Sequence, residues 1–268
     1  MLPGFEALIV FSGSAPDQYR VAPYILIDAI RDALNLVTLR VPIVIFESLF
    51  VFLSVFSIRK HFDVGQKMLW CLLLIYPFLM VGGYRPITSF ILFLSIQLVV
   101  SMRNADSGQR NAWLVFAILI AVMSFTRADV AFLIAVAAFG LQGASYWSKG
   151  CIAAIPLVAQ FLLSTVIFPE AEYYSQLIMI ADNLSLIFLL VSPLTYLFIG
   201  LLLFYWDAVL AFFKFSAQNN RIILAAMVGY VAVLLVIARP NEYRLLLPFL
   251  PLVLWLLQEQ KTTGVASV

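Results

Sequence analysis

The chain has 268 residues, 64% of them hydrophobic and 11% charged, with a formal net charge of +2 and a mean hydropathy of +1.04. A soluble domain carries about 25% charged residues, so this composition excludes a water-soluble globular protein. The small net charge, with no basic stripe, excludes nucleic acid as a partner. No long linker or low-complexity block interrupts the chain, and residues 1–268 read as a single integral membrane domain, all-α and polytopic.

In chain order, the apolar piece Leu8 to Phe11 follows Glu6 and is too short to cross a bilayer alone. The first basic residue is Arg20, so the start lacks the basic region of a signal peptide. The piece is either a short first span or an interfacial segment. Residues 13–40 form an exoplasmic loop and an amphipathic helix. The loop, Ser14-Ala15-Pro16-Asp17-Gln18-Tyr19-Arg20, carries an acid beside an arginine. In Ile25 to Leu36, Ile27, Ile30, Leu34 and then Val37 recur at helical spacing, while Asp28, Arg31 and Asp32 share the other side. That pattern predicts a juxtamembrane helix lying in the interface.

Hydropathy and breakers then predict spans at 41–58, 68–81, 87–102, 111–125, 129–146, 149–168, 193–213, 221–238 and 244–258, nine to ten with the first piece. Several fall short of the roughly 20 residues a perpendicular helix needs, which predicts tilted or broken helices around a cavity. Segment 169–192 opens with Pro169-Glu170-Ala171-Glu172-Tyr173-Tyr174 and is interrupted by Asp182-Asn183, so it reads as interfacial or re-entrant. The loops 59–67, 103–110, 142–149 and 214–221 and the C-terminal tail then share one face. That face holds every lysine: Lys60, Lys67, Lys149, Lys214 and Lys261. The positive-inside rule makes it cytoplasmic, as expected for a protein of the bacterial inner (plasma) membrane.

The opposite face lacks lysine but collects Arg20, Arg31, Arg40, Arg85, Arg127, Arg239 and Arg244. The planar guanidinium suits two-pronged holding of phosphate or carboxylate. The alternative is that these arginines pair with nearby acids and anchor helix ends. Asp17, held at the membrane surface, is a candidate general base toward a hydroxyl. Two short connections, Gly82-Gly83-Tyr84-Arg85-Pro86 and Arg239-Pro240-Asn241-Glu242-Tyr243-Arg244, each turn the chain where proline follows arginine, and each offers a tyrosine at the same level. Thr126-Arg127-Ala128-Asp129 is a third exoplasmic turn, in which Arg127 and Asp129 have each other as partners. Glu47 and Asp207 fall inside spans, where a carboxyl is either a proton carrier or a neutral acid bonded to a neighbouring helix.

Other chemistries lack their residues. Cys71 and Cys151 sit in or beside apolar runs as small buried residues, and His61 has no second histidine or cysteine near it, so no metal or other cofactor is expected. There is no phosphate-cradling glycine loop, no Ser-His-Asp set and no His-Glu-x-x-His.

A first hydrophobic piece, an acid-bearing loop, an amphipathic helix, short spans with Arg-Pro turns and the Arg239 to Arg244 connection together resemble the membrane core of GT-C type glycosyltransferases. The resemblance implies transfer of a sugar from a polyprenyl-phosphate donor on the exoplasmic face. Asp17 would act as base, and Arg85, Arg127, Arg239 and Arg244 would hold phosphate. Arg20, Glu242 and Tyr243 belong to the same substrate-binding set. The competing expectations are a non-catalytic structural or assembly subunit with partner subunits, a polysaccharide polymerase reading the same lipid phosphate, and a proton-coupled transporter using Glu47 and Asp207.

Overall fold

Inside a bilayer the backbone must satisfy its own hydrogen bonds, which leaves helices as the simplest answer for apolar runs. A computed structural model describes residues 20–66, 87–109, 111–141, 145–171, 209–216, 220–237 and 247–262. Among these residues all regular structure is helical. The helices are α1 (Val21–Ala33), α2 (Arg40–His61), α3 (Thr88–Asp106), α4 (Ala112–Ala137), α5 (Tyr146–Leu162), α6 (Val209–Ser216), α7 (Arg221–Ile237) and α8 (Phe249–Thr262). Four runs are long and apolar enough to cross a membrane: Val41–His61, Thr88–Asp106, Ala112–Gly140 and Tyr146–Ile167. The pair α6 and α7, bent by 118°, makes a fifth where the two are counted as one broken span. The protein is an all-α polytopic membrane protein. The expected span 68–81 and most of 193–213 lie outside the described residues, and α7 and α8 have 17 and 14 residues.

The distribution of side chains on α2 carries the same message. Its outer arc is Val41, Val44, Ile45, Leu49, Phe52 and Phe56 with Ser48 among them, while its buried arc includes Glu47, Ser54 and Ser57 beside Phe46 and Ile58. A helix facing water would be the reverse, polar outside and apolar inside. Prolines occupy the third position of α1, α2 and α8 (Pro23, Pro42 and Pro251), where the missing N–H has no partner in the helix to lose.

The chain divides by its contacts into two units, one of Met1–His61, Arg85–Ala135 and Leu141–Ser175, the other of Phe62–Tyr84, Val136–Gly140 and Gln176–Val268. In the first, α1 packs on α2 and α2 packs along α3. The rings of Phe46 and Phe50 lie 5.6 and 4.7 Å from that of Phe90, and Phe50 lies 5.4 Å from Phe93. Further along, Gln97 donates to the Ser57 hydroxyl at 2.9 Å, and Arg103 donates to the His61 carbonyl at 3.1 Å. Contacts that advance together along both helices mean that α2 and α3 run parallel. Their C-terminal ends gather Arg59, Lys60, His61 and Arg103 at one end, where cations favour the helix dipoles and Arg103 caps an open carbonyl. This agrees with the sequence, which puts loops 59–67 and 103–110 on one face.

Three expectations are corrected. Cys151, expected to be buried, is exposed on α5. α1 stops at Ala33, because Asn35 adopts the left-handed conformation (φ 50°) and the Leu36 amide bonds back to the Arg31 carbonyl. Leu34 and Val37 therefore do not extend the helix, and Val37 is 99% exposed. Spans 111–125 and 129–146 form a single run, α4 followed by a 3-10 turn at Ala138–Gly140, interrupted only at Arg127. Residue 146 already opens α5.

In the second unit α7 and α8 are antiparallel. Asn220, just before α7, donates to Glu259 near the end of α8 at 2.8 Å, and the Tyr230 ring lies 5.3 Å from that of Phe249. The 3-10 turn packs on α7 so closely that a Cβ on Gly140 would stand 3.4 Å from the Ile222 Cβ.

Candidate functional site

The break in α4 has a local origin. Ser124 and Thr126 turn their hydroxyls back onto the Ile120 and Val122 carbonyls at 2.6 and 3.0 Å, which satisfies them within the helix. Arg127 then takes extended backbone angles (φ −160°, ψ 91°), and the helix resumes at Ala128 with Asp129 in its new first turn. An acid is favoured there by the helix dipole. Arg127 reaches forward to grip that acid with two bonds, Nε to Oδ1 at 3.1 Å and Nη2 to Oδ2 at 2.9 Å. The arginine side chain is 9% exposed and that of Asp129 34%. The expected turn between two spans is thus a one-residue interruption closed by its own ion pair.

A packing cluster shows what lies around this break. Leu163, fully buried in a π-helical turn (Leu163–Ile167) that extends α5, packs against Val21, Phe125, Phe168 and Ala171. Val21 follows Arg20, Phe125 precedes Arg127 by two residues, and Phe168 and Ala171 flank Pro169 and Glu170. One apolar cluster therefore gathers the start of α1, the break in α4 and the segment after α5, each of which carries a charged residue. Phe125 is about 20 Å along α4 from Ala112, at 1.5 Å per residue. π-turns recur where a helix is shaped around a site, and Pro156 inside α5 adds a second irregularity to the same helix.

The other candidates are placed as follows. Arg20 is half-buried at the N-terminal boundary of α1. Glu47 is buried on the inner arc of α2, next to Phe46. Asp17, Arg85, Asp207, Arg239, Glu242, Tyr243 and Arg244 lie outside the described residues. Among the described residues no group of three or more His, Cys, Asp or Glu side chains is placed to hold a metal ion.

Sequence reasoning missed Lys149. Expected in an exposed basic loop, it is 3% exposed at the start of α5, donates to the Leu141 carbonyl and lies 5.2 Å from the centre of the Tyr146 ring. Only the path of the chain supplies that carbonyl, so spacing alone gave no signal. Comparison with protein-family models, with curated proteins and with solved structures finds no match.

Proposed function

We propose that this membrane protein transfers a sugar from a polyprenyl-phosphate donor to a hydroxyl acceptor on the exoplasmic face of the bacterial plasma membrane, with its basic end and C-terminus cytoplasmic. The observation that supports the reading is the cluster on Leu163, in which Val21, Phe125, Phe168 and Ala171 bring together the stretches of chain that carry Arg20, Arg127 and Glu170. In the reaction, the Asp17 carboxylate takes the proton of the acceptor hydroxyl as its oxygen bonds to the sugar C1. The bond from C1 to the phosphate oxygen breaks, and the polyprenyl phosphate leaves with the electron pair. Guanidinium groups around that phosphate would stabilise the charge that develops on it.

Replacing Asp17→Asn is expected to abolish transfer while the protein still inserts and folds, measured with a labelled polyprenyl-phosphate sugar in membranes. An Asn variant as active as the parent removes Asp17 from this role.

A structural-subunit reading is favoured by the two-bond pairing of Arg127 with Asp129, which gives the arginine a partner within the chain. Native mass spectrometry of gently purified protein separates the two. A bound polyprenyl phosphate, lost in the Arg239→Ala and Arg244→Ala double variant, supports transfer. Stoichiometric partner subunits with only bulk phospholipid support the structural role.

A further inference from the structure

The cations of the described helices fall into two groups. Arg31 pairs with Asp28 and Asp32, Arg127 grips Asp129, Arg103 donates to the His61 carbonyl and Lys149 to that of Leu141. Arg59 and Lys60 in the last turn of α2, and Lys214 and Arg221 in the second unit, are exposed and make no hydrogen bond or ion pair among the described residues. A basic residue at a helix end commonly caps the open carbonyls. On α2 the neighbouring helix already does so through Arg103, which leaves Arg59 and Lys60 for something outside the chain.

The face on which they stand specifies what. The outer arc of α2 passes through Leu49, Phe52 and Phe56, and further steps of three and four residues carry it on to Arg59 and Lys60. The two rings are 67% and 56% exposed. From Phe52 to Arg59 is about 10 Å at 1.5 Å per residue, so apolar surface runs without a break into two positive charges. Side chains on a helix tilt toward its N-terminus, so both cations leave the backbone toward the bilayer rather than away from it. Of the acids at this end, Asp63 lies beyond the helix and Asp106 closes α3, so neither stands on the arc.

We infer that the C-terminal end of the outer face of α2 binds an anionic glycerophospholipid, its phosphate held by Arg59 and Lys60 and its acyl chains lying along Phe56 and Phe52. The guanidinium can grip two phosphate oxygens, and the ammonium adds a point charge. A phosphocholine headgroup brings a cation of its own, which the same pair repels. The site is independent of the sugar transfer proposed above.

The test uses the full chain in mild detergent, titrated with phosphatidylglycerol and with phosphatidylcholine and followed by native mass spectrometry. The parent protein is expected to bind phosphatidylglycerol more tightly. A cation beside an anionic headgroup is worth about fivefold, so Arg59→Gln and Lys60→Gln should each weaken that binding about fivefold and together about thirtyfold. Both side chains are exposed, so the melting temperature should not change. Arg59→Lys keeps the charge and is expected to retain most of the binding. The double variant Lys214→Gln and Arg221→Gln removes the same charge from exposed positions in the second unit, and is expected to leave phosphatidylglycerol binding as it is. An equal loss in that control would mean that the lipid responds to net charge alone, and would overturn the site. Unchanged binding in the Arg59 and Lys60 double variant, or equal affinity of the parent for the two lipids, would overturn it as well.

Discussion

Arg127 illustrates how one residue can both interrupt a helix and repair the interruption. Its backbone takes the extended conformation, and its side chain returns two charge-assisted bonds to Asp129. Lysine in its place would keep the charge but lose the planar fork. Arg127→Lys is therefore expected to cost about 1–2 kcal/mol, and Arg127→Ala somewhat more, because it leaves a partly buried carboxylate without its arginine. Thermal unfolding in mild detergent measures both. An unchanged midpoint for Arg127→Ala would mean that the pair does not hold the break. The residues involved were legible in the sequence as Thr126-Arg127-Ala128-Asp129, and their pairing was expected. The depth of Lys149 was not, since it depends on which carbonyl its ammonium happens to meet.

At the scale of elements, apolar runs with charged ends translated well. The run 41–58 became α2 (Arg40–His61), 87–102 became α3 (Thr88–Asp106), and 149–168 became α5 with its π-turn. Charged residues at the ends of α2 and α3 mark where apolar sequence stops, and helices continue about one turn beyond. Ends set by backbone conformation were less visible. Asn35 closes α1 through a left-handed residue that hydropathy does not register. The seam between α2 and α3 is held by rings more than by polar bonds. Phe50 touches Phe46, Phe90 and Phe93; at about 0.5–1.5 kcal/mol for each ring pair, Phe50→Ala is expected to cost about 3 kcal/mol. Ser57→Ala, which removes only the acceptor of Gln97, should cost about 0.6 kcal/mol, the usual value for an interhelical bond in a membrane. Comparing the two unfolding midpoints tests the ranking, and a larger loss for Ser57→Ala would reverse it.

For the whole molecule, the parallel course of α2 and α3 fixes which loops share a side. Lys60, at the end of α2, and Gln109, just past α3, are both exposed and should lie on one side of the bilayer, with Val37 on the other. In the membrane and orientation proposed above, and in a chain whose native cysteines are replaced, an impermeant thiol reagent added to spheroplasts should label Val37→Cys and spare Lys60→Cys and Gln109→Cys. Labelling of Lys60→Cys and Gln109→Cys from opposite sides would contradict the parallel pair. The parallel arrangement also has a consequence for biogenesis. Partners that run in the same direction cannot be neighbouring strokes of a hairpin; the second arrives only after the chain has doubled back. At roughly 5–20 residues per second, the ribosome needs about 2–9 seconds to pass from Phe50 to Phe93. Throughout that interval α2 carries Glu47 and Ser57 on a face whose partner has not been made. Newly made α2 is thus a helix that lipid alone serves poorly, and it needs shelter at the insertion machinery until α3 emerges to cover it.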